Sequence, residues 1–74
     1  MKTYGEVLRY YLDKQGLTAA ELARRIGSPR STVSALLNGY AKGPTLDKAK
    51  MIADALGVTL DEMAEMLYGE GDEL

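Results

Sequence analysis

Three times in this 74-residue chain a threonine is followed three positions later by a glutamate: Thr3 and Glu6, Thr18 and Glu21, Thr59 and Glu62. Each pair has the form of a capping box. The threonine oxygen accepts a free amide of the first helical turn, and the glutamate reaches back to the amide of the threonine. Glycines stand where the helices begun this way should stop, at Gly16, Gly27, Gly39, Gly57 and Gly69. Starts and stops at this spacing leave room only for short helices.

The apolar residues agree. Tyr4, Val7, Leu8, Tyr11 and Leu12 recur at helical spacing, as one buried face requires. Leu22, Ala23 and Ile26 form a second face, and Val33, Leu36 and Leu37 a third. Ser28 is read as the cap of that third helix, with Pro29 at its first position, where a missing N–H costs nothing. Thr45 caps a fourth helix with Leu46, Ala49, Ile52, Ala53 and Leu56 inward. A fifth runs from Leu60 to about Tyr68, with Val58 and Met63 spaced as a hydrophobic staple. No segment alternates as a strand does. The expectation is a compact all-α domain of five helices over residues 1–69, with residues 70–74 an acidic tail or linker stump.

Composition narrows the chemistry. Cysteine and histidine are both absent, so Cys/His zinc sites and Ser-His or Cys-His nucleophile pairs are excluded. No metal and no cofactor is expected, and an enzyme is the least favoured class. The carboxylates of the C-terminal half fall at helix starts and exposed positions, where capping and solubility explain them. No signal-peptide apolar region and no membrane span stand out, so the expected location is the cytoplasm.

Net charge is −2, but it is unevenly spread. Residues 17–42 carry Arg24, Arg25, Arg30 and Lys42 against Glu21 alone, for +3; residues 43–74 come to −6. A locally basic face can meet a polyanion on an acidic protein.

Only about two residues separate Gly27 from the third helix. Two helices joined so tightly cross steeply, and the second turns one face outward. On that face lie Arg30, Ser31, Ser34, Ala35 and Asn38. A merely solvated face usually carries long Glu and Lys side chains, and this one has neither. Small side chains let a helix sink into the major groove of DNA, where Arg and Ser bond base edges.

Over residues 17–67 the chain resembles the lambda-repressor-like, Cro/C1-type (XRE) helix-turn-helix domains. The matching words are "LTAAELARRIGSPRSTVSALLNG" and "PTLDKAKMIADALGVTLDEM". The resemblance implies a sequence-specific regulator that binds double-stranded DNA, a repressor on a palindromic operator, with helix 3 in the major groove. It implies base contacts by Arg30, Ser31 and Ser34, with Ala35 against a thymine methyl. Backbone contacts would come from Asn38, from the free amides near Thr18, and from Tyr40 and Lys42 in the following loop. Reading a useful length of DNA implies a homodimer, for which the fifth helix offers Met63, Met66, Leu67 and Tyr68; core packing is the competing explanation of those four.

Three features depart from the family pattern. Ala19 stands where a glutamine commonly braces the recognition helix and the DNA. The loop "YAKG" is one residue longer than the commonest form. Leu12 and Leu37 replace a frequent arginine–glutamate pair, and are expected to pack in the core instead. The missing glutamine and the acidic C-terminal half keep a second reading open: a protein-interaction module of the same fold, such as an antitoxin or sensor subunit contacting a partner through helix five, with weak or no DNA binding.

Overall fold

A computed structural model describes residues 3–39 and 43–68. It contains five helices: α1 (Tyr4–Gln15), α2 (Ala19–Ile26), α3 (Arg30–Asn38), α4 (Leu46–Leu56) and α5 (Leu60–Tyr68). Among the described residues there is no strand.

The local signals form largely as expected. At Thr3 and Thr18 both arms of the capping box are made: threonine Oγ1 accepts the amide of Glu6 or Glu21, and the glutamate accepts the threonine amide at 2.9 Å. Thr45 caps α4 by accepting the Lys48 amide. Gly16, Gly27, Gly39 and Gly57 end their helices in the left-handed region, which costs a glycine nothing. Gly69 lies outside the described residues, as does the 70–74 tail.

Two starts differ. At Thr59 one arm forms, the Glu62 amide to Thr59 Oγ1, while the Glu62 carboxylate takes the Thr59 hydroxyl at 3.4 Å instead of the backbone amide. At α3 the N-cap is Pro29, not Ser28, and no side chain caps the helix. The helix begins at Arg30, so Ser28 stands one residue before the cap position and its hydroxyl serves another contact. The Ser28 hydroxyl accepts a hydrogen bond from the Lys48 ammonium on α4, twenty residues away.

The centre of the core is built from Val7 and Leu8 of α1, Leu22 of α2, Val33 of α3 and Ile52 of α4, all fully buried. Around them Tyr11, Leu12, Ala23, Ile26, Leu36, Ala53, Leu56 and Met63 are also buried. Leu12 is thus inside the core, and Leu37 packs half-buried on its edge. Val58 likewise packs against the core beside buried Met63. Leu46, expected to face inward, is 75% exposed. It is the first residue of α4, a turn short of the buried stripe.

The last four carbonyls of a helix have no intrahelical partner and need one from elsewhere. In α4 every one is met. The Gly57 amide donates to Ala53 and Asp54, Arg25 Nη1 to Ala55 at 3.1 Å, and Gln15 Nε2 to Leu56 at 2.6 Å. Two side chains, one from α1 and one from α2, therefore fasten the end of α4. Gln15→Ala should leave the half-buried Leu56 carbonyl without this donor, at ~1 kcal/mol. For a domain of this size that lowers Tm by about 4–8 °C. Arg25→Ala should cost less, because its bond is exposed. Thermal unfolding by circular dichroism checks both the size and the order.

Candidate nucleic-acid interface

α2 and α3 are joined by Gly27, Ser28 and Pro29. Gly27 adopts φ +67°, so its amide returns to the end of α2. The Ser28 amide does the same, donating to the Ala23 carbonyl at 3.0 Å. The chain then reverses over Pro29, whose fixed φ suits a helix entry. α3 packs on α2 and α1 through Val33 and Leu36.

Burial of those two residues settles what α3 shows to solvent. Arg30, Ser31 and Asn38 are exposed, and Ser34 and Ala35 are half-buried between them. The structure thus brings all five onto one outward face. That face has no acidic residue in its first turn. With no side-chain cap either, the positive end of the α3 dipole is left bare beside Arg30.

The start of α2 is different. The amide of Thr18 is already bonded to Glu21, and that of Glu21 to Thr18. The donors left over in this turn are those of Ala19 and Ala20. Hydrogen bonding to Thr18 holds the Glu21 carboxyl below the usual carboxylate range, with Arg24 and Arg25 nearby adding a little. A carboxylate therefore sits where the sequence suggested a phosphate would approach, and any phosphate contact here falls to Ala19 and Ala20, not to Thr18 itself.

Of the basic residues in this region, Arg25 is engaged with Ala55. Arg24 and Arg30 are exposed. Lys48, which the sequence reading did not single out, is added by its bond to Ser28 in the turn. Only a contact across twenty residues reveals it, so no local pattern could have found it. Tyr40 and Lys42 lie outside the described residues.

The four α5 residues divide. Met63 is 2% exposed and belongs to the core, which corrects its assignment to a dimer surface: the staple position packs inward. Met66 and Leu67 are half-buried, and Tyr68 is 59% exposed. Among the described residues, no helix is long and apolar enough to cross a membrane.

A helix-turn-helix family profile matches residues 8–63, three quarters of the chain. The chain belongs to this family, in its Cro/C1-type branch of DNA-binding transcriptional regulators. Among solved structures it is similar to SinR, described as the master regulator for biofilm formation, in complex with DNA. The TM-score is 0.78 at 19% identity, covering 84% of this chain and 98% of that one. It is also similar to part of FeII HppE in complex with substrate, with TM-score 0.73 and 28% identity, over 81% of this chain. This chain spans about a third, 34%, of that protein. A comparison with curated protein sequences finds no match.

The Glu21 environment sets a pH dependence. Its folded pKa is depressed, so its stabilising effect is complete above the ordinary carboxylate range and is lost as pH falls through the folded value. Glu21→Gln keeps a side chain that can close the box but removes the charge. The Tm gap between parent and variant should be widest near neutral pH and should close in acid. Tm measured across an acid-to-neutral series checks this.

Proposed function

We propose that this chain is a sequence-specific binder of double-stranded DNA, a repressor that lays α3 in the major groove of a palindromic operator. The observation that carries the reading is the outward face of α3. It is small and polar, holds one arginine, and begins at an N-terminus with no side-chain cap and no carboxylate in its first turn. Arg30 and Ser31 stand at that end, positioned for base edges, with Ser34 and Ala35 behind them and Asn38 for a phosphate. Arg30 suits guanine, whose O6 and N7 match its two parallel donors. In the following loop, Tyr40 and Lys42 are assigned to the phosphate backbone.

The active species is proposed to be a cytoplasmic homodimer, because a single helix reads only a few base pairs. Met66, Leu67 and Tyr68 of α5 are its proposed contact, made about a two-fold axis. No catalytic step is assigned: the chain has neither cysteine nor histidine. One observation favours the second reading, a protein-interaction module. The Glu21 carboxylate stands at the start of α2, where Cro/C1-type domains usually meet the DNA backbone.

Selection from random duplex DNA, followed by titration at two salt concentrations, tests the proposal. Arg30→Ala should cost ~1–3 kcal/mol on the selected site and relax preference at one base position. Ser31→Glu separates folding from binding. A glutamate in the first turn of α3 should stabilise the helix by about 0.3–1 kcal/mol, while the same charge against the groove should abolish binding. A variant that melts higher and still binds as tightly as the parent would move the reading surface elsewhere.

A further inference from the structure

α1 carries a buried glycine, Gly5, inside its first turn. A methyl group built on it would lie 2.6 Å from the Leu36 carbonyl oxygen and 2.9 Å from that of Leu37. Both are backbone atoms of the last turn of α3, so neither can swing aside as a side chain would. Gly5 is helical with negative φ, since the positive values belong to Gly16, Gly27, Gly39 and Gly57. Its purpose is therefore not conformational. A glycine inside a helix costs ~1 kcal/mol against alanine, and here the close approach accounts for it.

The approach has an electrostatic sense. At the end of α3 the Gly39 amide meets only the Ala35 carbonyl. The later carbonyls have no intrahelical donor. Those of Leu36 and Leu37 face the first turn of α1, the positive end of that helix. Opposite dipole ends meet, and the missing side chain lets them meet closely.

We infer that Gly5 is a positioning residue for α3: it fixes the C-terminal end of the DNA-facing helix against α1. The Ser28–Lys48 bond holds the other end. With both ends held, the outward face of Arg30, Ser31, Ser34 and Asn38 has one attitude relative to the rest of the domain. A methyl at Gly5 pushes the Leu36 and Leu37 carbonyls outward, and moves the Asn38 end more than the Arg30 end. The DNA consequence rests on the function proposed above; the displacement itself does not.

The test compares Gly5→Ala with Ala53→Gly, a core change in α4, a helix that packs chiefly on α2, α5 and α1. Without DNA, backbone amide shifts from 15N–1H spectra should change for Leu36, Leu37, Asn38 and Gly39 in Gly5→Ala, and stay near parental for Arg30–Thr32. With DNA, at a temperature where both variants are folded, Gly5→Ala should weaken binding to the selected site by about tenfold or more, the loss that goes with one base contact. Binding to unrelated duplex should stay within about twofold. Ala53→Gly should show neither the localised shifts nor the selective loss. If Gly5→Ala is unfolded, the spectra are repeated in trimethylamine N-oxide, which favours burial. Parental shifts in the last turn of α3, shifts spread evenly over the domain, binding equal to the parent, or failure to fold even in the osmolyte each overturn the assignment. If the parent itself binds no duplex, the DNA reading fails, and the amide shifts still decide the role of Gly5.

Discussion

α3 has nine residues, and a helix that short has no stability of its own in water. It exists because Val33 is fully buried, with Leu36 beside it, against α1 and α2. Everything the helix shows to solvent is conditional on those two side chains. With Val33 and Leu36 inward, Arg30, Ser31 and Asn38 must be outward, since an α-helix gives the chain no second arrangement. The proposed interface is thus the reverse side of the core. The tight Gly27–Pro29 connection then sets which way that side points.

The core also explains why the attachments at the periphery matter. A domain this small buries little apolar surface, so single hydrogen bonds are a large part of its margin. Most of the bonds described between distant elements are made by long side chains reaching a neighbouring helix or turn: Gln15 to Leu56, Arg25 to Ala55, Lys48 to Ser28. All three involve α4. That helix contributes Ile52 to the centre and is fastened to α1, α2 and the α2–α3 turn. It is the brace against which the α2–α3 pair is held.

What could be read from sequence divides along the same line. Helix existence, order and polarity were legible, because capping boxes, glycine stops and apolar spacing are local and act within four residues. Thr3, Thr18 and Thr45 behave as their neighbours dictate. Where a distant residue competes, local reading fails. Ser28 looks like a cap, but its hydroxyl is taken by Lys48. Met63 has the spacing of a staple and the chemistry of an interface residue; only its burial decides between them. The five residues of the α3 face were legible as a group because the helix period places them. Their backing was not: Gly5 reads as a weak point in α1, and nothing within α1 says that two carbonyls of α3 lie against it.

The start of α3 is where the chain departs from the rule it follows at the other helices. An uncapped N-terminus commonly costs ~1 kcal/mol relative to a Ser, Thr or Asp cap. α1 and α2 avoid that cost with a threonine and a glutamate each; α3 has Pro29 and no acid in its first turn. Local rules are most often broken at functional sites, and the physical conflict here is specific. A capping carboxylate would steady the helix and would also place a negative charge where the proposed DNA contact needs a polyanion to approach. Leaving the turn bare keeps its amides and dipole available beside Arg30. Stability for that end comes instead from behind, through the ammonium of Lys48 on the Ser28 hydroxyl. That anchor is positive, so it steadies the turn without adding a charge that repels phosphate.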